Sequence, residues 1–286
     1  LSDGSVVAWG DNGAGQCNVP APPSGLAYVE VAAGGGHSVA RLSDGSVVAW
    51  GMNGYGQCNV PAPPSGLAYV EVDAGWQYTL ARLSDGSIAA WGDNGKGQCL
   101  VPELPPGLVC VEVDAGWEHA VARLSDGSIV AWGDDASGQV SVPAILGRRT
   151  CVEVSAGEGH TVARSSDGTV LGWGENQDGQ CNAPAPPPGV SYIEVDSGWF
   201  HTVATLSDGS AVAWGDNSSG QCNVRGPEPG LTYVEADGGG NFPVARQSDG
   251  SAVAWGDNSS GQCNVPAPPR GLAHAEAGAG PPPPAA

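Results

Sequence analysis

Histidine and glutamate side chains recur at fixed places along this 286-residue chain, and they are the first candidates for chemistry. Four of the five histidines share one repeat position: His37, His119, His160 and His201. A glutamate recurs between small apolar residues: Glu30, Glu71, Glu112, Glu153, Glu194, Glu235 and Glu276. An active site should break a repeat, because identical units cannot each be catalytic, and no nucleophile motif breaks this one. We therefore predict no catalytic residue, no metal site and no cofactor.

The two repeated groups have simpler structural explanations. A histidine in a loop commonly hydrogen-bonds to neighbouring backbone. The glutamates alternate with apolar residues, which places them on the polar face of a strand. We find no acid and base pairing among them.

The eight cysteines follow the same repeat. Six occupy one position, which Val140 fills in the remaining copy: Cys17, Cys58, Cys99, Cys181, Cys222 and Cys263. A position that accepts valine suits a small buried hydrophobic residue. Cys110 and Cys151 share a second position, held by tyrosine in four other copies. We predict eight free thiols, which favours a reducing compartment. Two glycosylation sequons, at Asn217 and Asn258, leave secretion open.

The charge is strongly acidic. The chain has 30 acidic and 10 basic residues and a net charge of -20. Nucleic-acid binding draws much of its affinity from Lys and Arg that neutralise phosphates, so we predict no nucleic-acid partner. No apolar run approaches the roughly 18 residues of a membrane span, which predicts no membrane insertion.

Aromatic residues cluster in one variable loop. The three residues after a fixed glycine differ from copy to copy, and rigidly held loops are where binding function concentrates. We predict a partner-binding face of these loop residues: Trp76, Tyr78, Trp117, His119, Glu158, His160, Trp199, Phe200, His201 and Phe242. An alternative is that the tryptophans fold back over a central tunnel. A second candidate is the unusual crossing that contains Ile145, Leu146, Arg148 and Arg149.

A 41-residue repeat must position these loops. Its Trp-Gly pair begins at seven places: Trp9, Trp50, Trp91, Trp132, Trp173, Trp214 and Trp255. One unit, 26–61, predicts strands at 26–31, 37–41, 46–50 and 57–60. Asp44-Gly45 predicts a hairpin in which both residues have positive φ, and a proline-rich crossing ends the unit. The pattern predicts an all-β chain, a seven-bladed β-propeller whose tryptophans pack between blades.

The two ends predict a closed ring. The chain begins at a hairpin, Leu1–Gly4, and residues 271–286 supply the other half of a unit. We predict one domain, 1–286, closed by a blade that residues 1–20 share with 271–286. Residues 281–286 form a proline-rich tail, and proline has no N–H to donate. One strand of the closing blade should therefore be missing or irregular.

The repeat resembles a known family. Trp-Gly-Asp-Asn-x-x-Gly-Gln, preceded by Ala-Gly-x-x-His-Ser/Thr-Val-Ala and by Ser-Asp-Gly, is similar to the regulator of chromosome condensation repeat over nearly the whole chain. The resemblance implies a seven-bladed propeller. The family includes a GTPase exchange factor, a propeller-type β-lactamase inhibitor, a plant ultraviolet-B photoreceptor and modules of ubiquitin ligases.

Two of these functions fit the residues poorly. The exchange factor uses basic segments, which this chain lacks, and an insertion from one blade, for which the even 41-residue spacing leaves no room. The photoreceptor has arginine after its loop tryptophan, where this chain has Gln77, Glu118 and Phe200.

A non-catalytic function follows from this comparison. We predict a protein-binding scaffold, or a subunit of a larger assembly, that uses the aromatic loop face. The alternative is a secreted or surface binder of carbohydrate or of an enzyme. A light-sensing or GTPase-exchange role is the third possibility.

Overall fold

The computed structural model describes residues 1–144, 150–275 and 278–280. The described residues are all-β, with 18 strands and no α-helix. In chain order the strands are β1 Tyr28–Ala33, β2 His37–Leu42, β3 Val47–Gly51, β4 Tyr69–Ala74, β5 Tyr78–Leu83, β6 Ile88–Gly92, β7 Cys110–Ala115, β8 His119–Leu124, β9 Ile129–Gly133, β10 Cys151–Ala156, β11 His160–Ser165, β12 Val170–Gly174, β13 Tyr192–Ser197, β14 His201–Leu206, β15 Ala211–Gly215, β16 Tyr233–Asp237, β17 Val244–Gln247 and β18 Ala252–Ala254. No helix of this part is long and apolar enough to cross a membrane.

Consecutive strands form six antiparallel sheets of three strands, one per repeat. The second strand lies in the middle of each sheet, and its central side chains, such as Val39 and Ala40, are completely buried. Each first pair shifts register near its start, between Tyr28 and Glu30 in the first sheet. Small buried residues in the middle strands let neighbouring sheets approach closely, which is the packing of propeller blades.

The Ser-Asp-Gly hairpin forms where the sequence predicts it, with a different backbone. Gly45 has a φ of +81°, and no residue other than glycine has positive φ in the described chain. The expectation that Asp44 would also adopt positive φ was wrong. The Asp44 carboxylate instead accepts hydrogen bonds from the backbone N–H and the hydroxyl of Ser46, which holds the turn through its side chain.

The predicted fourth strand, at 57–60, is a series of turns in the first repeat. The Asn53 side chain accepts the N–H of Cys58, and Asn59 and Val60 donate to carbonyls two or three residues earlier. These N–H groups are unavailable to a ladder, and Pro61 has none to offer. Each sheet therefore has three strands.

The turn segment joins one blade to the next. The indole Nε1–H of Trp91, in β6, donates to the Gln57 carbonyl over 2.9 Å. The same bond recurs from six other tryptophans: Trp9, Trp50, Trp132, Trp173, Trp214 and Trp255. A buried indole N–H needs an acceptor, so each blade tryptophan supplies both apolar area and a directional bond across the interface.

The cysteines are all unpaired. Each of the eight is a free thiol, and Cys110 and Cys151 are buried. The Cys58 thiol donates to the Met52 carbonyl, and burial raises the pKa of Cys58 to about 11. Six of these thiols act as small packing groups in the turn segments, and Cys110 and Cys151 do so at the starts of β7 and β10.

Candidate partner-binding face

The first strand of each sheet lines a central tunnel with a cavity volume of about 310 Å³. At two positions in these strands, acidic side chains face the tunnel. The first is the repeated glutamate. The second, two residues later, holds four tunnel aspartates: Asp73, Asp114, Asp196 and Asp237. Alternation along the strands carries this signal in the sequence, but the aspartates were not among the predicted functional residues.

Five of the described glutamates connect two blades. The Glu30 carboxylate accepts Arg41 Nε–H at 2.6 Å on its own sheet and the backbone N–H of Val72 at 3.1 Å on the next. Glu71, Glu112 and Glu153 repeat both bonds, and Glu235 pairs with Arg246 on its own sheet. In the fifth sheet Thr205 replaces the arginine and donates to Glu194. Burial, with neighbouring glutamates, raises the pKa of Glu194 to about 7.

Asp73 and Asp196 accept backbone N–H groups of the following blade. Asp73 accepts the N–H of Ala115 at 2.6 Å, and Asp196 accepts that of Gly238 at 2.7 Å. Burial raises the pKa of Asp73 to about 6. Burial and the nearby charges of Asp73 and Asp196 also raise the pKa of Asp114 well above its ordinary value. The tunnel thus holds acidic groups that take up protons at a higher pH than free carboxyls do.

The repeated histidines belong to the core. His37, His119, His160 and His201 are completely buried. His37 Nε2 lies 3.0 Å from Thr79 Oγ1 of the next blade, and that hydroxyl donates to the Gln57 carbonyl. The ring therefore carries its proton on Nε2. In His37, His119 and His160 the predicted bond to nearby backbone is instead a bond to a threonine one blade away.

This placement corrects four predicted binding residues. Tyr78, His119, His160 and His201 are completely buried and have no surface to offer a partner. They share one repeat position at the start of a middle strand, where alternation turns the side chain inward. Tyr78 donates to the His119 carbonyl, and burial lowers the histidine pKa values to about 4, 3 and 4 in chain order. Phe242 is also buried, against Val244 and Ala254.

The loop tryptophans Trp76, Trp117 and Trp199 meet at one mouth of the tunnel. Trp76 and Trp117 are stacked with ring centroids 4.3 Å apart, and Trp199 lies 5.0 Å from Trp117 and 5.7 Å from Trp76. Trp76 is 8% exposed, whereas Trp117 and Trp199 are half-buried. A side chain at Gly35 would lie 2.3 Å from the Trp76 indole, which explains a glycine in that loop.

Backbone hydrogen bonds hold these loops to one another. Trp76 N–H donates to the Trp117 carbonyl, Glu158 N–H to the Trp199 carbonyl and Trp199 N–H to the Gly240 carbonyl, over 3.1–3.3 Å. The three tryptophans line the tunnel cavity as well as contacting each other. They are therefore a rigid aromatic cap over the tunnel, with two members still partly open to solvent.

An acidic pocket adjoins the cap. Trp117 and Phe200 form its walls, and Glu158, Gly159 and Glu175 lie between them. Phe200 packs edge-on against Trp199 with centroids 6.5 Å apart. The predicted second candidate, Ile145, Leu146, Arg148 and Arg149, lies outside the described residues. Within the described ranges no three His, Cys, Asp or Glu side chains are placed to hold a metal ion.

The repeat decides the family. The model of the regulator of chromosome condensation (RCC1) repeat matches five segments, 28–57, 69–98, 110–139, 151–180 and 192–221, which together cover just over half of the chain. The chain belongs to the RCC1-repeat family. The predicted resemblance is confirmed, and with it a propeller-type arrangement of repeated three-stranded blades. No curated protein matches the sequence.

Solved structures show the same fold at low sequence identity. Prp20p of Saccharomyces cerevisiae, described with its binding to Gsp1p and histones, has 18% identity and a TM-score of 0.77, over 90% of this chain and 82% of that one. Human WBSCR16 has 15% identity and a TM-score of 0.70, over 83% and 79%. The ectodomain of the Arabidopsis thaliana receptor kinase ACR4 has 24% identity and a TM-score of 0.63, over 82% of each chain.

Proposed function

We propose that this RCC1-repeat chain is a non-catalytic scaffold that binds a protein partner through the loop face, as a subunit of a larger assembly. The loop face now comprises Trp76, Trp117, Glu158, Trp199 and Phe200. The observation that carries the proposal is the contact of three tryptophans from three separate blades. Aromatic side chains that are already rigid offer a large contact area at little entropic cost.

Two further observations support a protein partner. The backbone bonds between loops keep this surface in place before binding, which lowers the cost of association. Prp20p, similar in fold, is described as binding Gsp1p and histones, and yeast RCC1 (Prp20) is described bound to Kap60. These partners belong to those proteins, and they show that this fold can present a protein-binding surface.

The double variant Trp117→Ala, Trp199→Ala tests the loop face. Truncating one central aromatic anchor typically costs 2 kcal/mol or more of binding free energy, and such costs are not additive, so we expect at least a thirtyfold loss of partner capture. The measurement is chemical cross-linking in a lysate of the source organism, quantified by mass spectrometry. Thermal unfolding should remain cooperative.

The matched control is Ile193→Ala, which removes an exposed apolar side chain near the start of β13, away from the loops. It should leave capture unchanged. A folded double variant that captures its partners as well as the original chain would move the binding surface elsewhere. A double variant that fails to fold would make the tryptophans structural plugs only.

We further propose that the ends complete a seventh blade and close a single-domain ring. Trp9 Nε1–H donates to the Gln262 carbonyl over 2.9 Å, as the other blade tryptophans do between adjacent blades. Ser2 N–H donates to the Ala273 carbonyl over 2.9 Å. The described parts of both ends, 1–20 and 271–280, contain no strand, in keeping with an irregular closing blade.

Deleting residues 1–20 tests this closure. The deletion removes the Trp9 bond and uncovers the cluster of Tyr28, Ala40 and Leu42, against which Val6 and Val19 pack. We expect a loss of several kcal/mol of unfolding free energy, because large apolar contacts and a buried bond disappear together. Urea unfolding followed by circular dichroism measures it, with Asp3→Asn as a mild control. An unchanged midpoint would argue for an open array of blades.

A further inference from the structure

We propose that the partner presents a lysine or arginine side chain, which enters the acidic pocket between Trp117 and Phe200 and pairs with Glu158 and Glu175. This inference rests on the proposed function, and it adds the chemistry of the partner. The pocket lies beside the aromatic cap, so one approaching segment can contact both.

The shape and the walls of the pocket suit a long cationic side chain. Its volume is about 440 Å³, and two aromatic rings border it. Aromatic faces attract ammonium and guanidinium groups electrostatically. The aliphatic stem of lysine or arginine can pack on the rings while its charged end reaches the carboxylates.

One positively charged side chain of the protein already lies at the rim of this pocket. Lys96, its only lysine, places Nζ 2.7 Å from Asp134 Oδ1 and 3.6 Å from Glu118 Oε2. Lys96 does not neutralise the two inner carboxylates of the pocket, those of Glu158 and Glu175. No ion pair of the described residues reaches either of them. A second cation therefore has a place that the chain itself does not fill.

Without a bound cationic side chain, the carboxylates of Glu158 and Glu175 repel one another when both are ionised. Burial, followed by the charge of Glu175 and a hydrogen bond with it, raises the pKa of Glu158 to about 7. Glu118 and Asp134 add negative charge from the neighbouring blade, and Lys96 is held by those two groups. His160, beneath the loop, is buried with a pKa of about 3 and stays neutral.

This arrangement links cation binding to proton release. A positive charge next to Glu158 favours its ionised form and lowers its pKa. Binding of a lysine or arginine side chain should therefore become tighter as the pH rises through about 7. An apolar ligand of the same shape would show no such dependence.

Short peptides test the proposal without knowledge of the partner. The probes are acetylated and amidated Gly-Lys-Gly, Gly-Arg-Gly and Gly-norleucine-Gly, titrated into the whole chain and followed by tryptophan fluorescence. We expect saturable binding of the two cationic peptides, at least tenfold tighter than that of the norleucine peptide. Their affinity should rise between pH 6 and pH 8.

Variants separate the pocket from the general acidity of the chain. Glu158→Gln with Glu175→Gln should weaken binding of the cationic peptides at least tenfold and remove its pH dependence. Glu103→Gln, at an exposed site in another loop, should change nothing. Equal binding of the norleucine peptide, or equal losses in both variants, would overturn the proposal. If the peptides fail while Trp117→Ala, Trp199→Ala still loses its partner, the loop face stands and only the cationic chemistry falls.

Discussion

Replacing Trp132 with alanine is expected to lower the free energy of unfolding by about 3–5 kcal/mol, as is usual for a large aromatic residue removed from a core. Trp132 is 7% exposed and packs among Leu80, Cys110 and Leu124, which come from two different blades. The change also removes the Nε1–H bond to the Gln98 carbonyl, so a buried acceptor loses its donor. Urea unfolding followed by circular dichroism measures the loss.

Two controls separate the contributions of Trp132. Trp132→Phe keeps most of the ring and removes the N–H donor, and it should cost about 1–3 kcal/mol for the unsatisfied carbonyl and the lost volume. Tyr55→Ala removes an aromatic residue that is 55% exposed, and it should change stability by less than about 0.5 kcal/mol. Equal losses for Trp132→Ala and Tyr55→Ala would contradict packing between blades.

The repeat made the blades predictable because each local signal agreed with the fold. Alternation located β1, the Ser-Asp-Gly turn located the hairpin between β2 and β3, and the spacing of tryptophans located the blade interfaces. Local signals failed where the same short segment could form either a strand or a series of turns. At 57–60 the sequence predicted a short fourth strand, but the Asn53 side chain and Pro61 make turns the better way to satisfy the backbone.

The loop face was harder to predict because side-chain direction in it depends on other blades. The tryptophans and the histidines stand only two residues apart in one loop, yet Trp117 turns to the tunnel mouth and His119 into the core. His119 is held by Thr161, 42 residues away. Such pairings depend on how the blades pack side by side. The sequence alone therefore predicts a single surface for both residues.

Asp114→Asn is expected to stabilise the protein at pH 8, because it removes a carboxyl whose pKa is raised well above its ordinary value by burial and by neighbouring carboxylates. Asp114 shares a hydrogen bond with Asp73, and it feels the charge of Asp196 as well. Ser155 and the buried Tyr78 are its other polar neighbours. At pH 8 the folded chain must either ionise this carboxyl beside other negative charges or keep it protonated at a pH where a free carboxyl is ionised. An amide in its place donates to Asp73 at every pH.

The same groups set the direction of the pH dependence. The pKa values of Asp73, Glu153 and Glu194 are raised to about 6, 7 and 7, first by burial, and that of Asp114 is raised well above its ordinary value. The folded state therefore binds more protons than the unfolded chain, so stability falls as the pH rises through this range. Between pH 8 and about pH 6.5, where unfolded histidine begins to titrate, acidification should raise the melting temperature.

Histidine opposes this effect at lower pH. The folded pKa of His37 lies at about 4 because the ring is buried, and the other buried histidines behave alike. Below about pH 6.5 the unfolded chain takes up protons that the folded core refuses, so the gain from the carboxylates diminishes. Asp114→Asn should flatten the slope both above and below pH 6.5, because unfolded aspartate stays ionised down to about pH 4 while the folded carboxyl is protonated more readily.

The matched control for Asp114→Asn lies on an exposed turn. Hydrogen bonds from Ser46 lower the pKa of Asp44, so Asp44→Asn should weaken the turn slightly and leave the slope above pH 6.5 unchanged. Differential scanning calorimetry from pH 8 to pH 5 compares both variants with the original chain. A melting temperature that falls between pH 8 and pH 6.5, or an Asp114→Asn variant with an unchanged profile, would show that the tunnel carboxylates are ionised without strain. In that case water or a bound cation inside the tunnel must stabilise their charges.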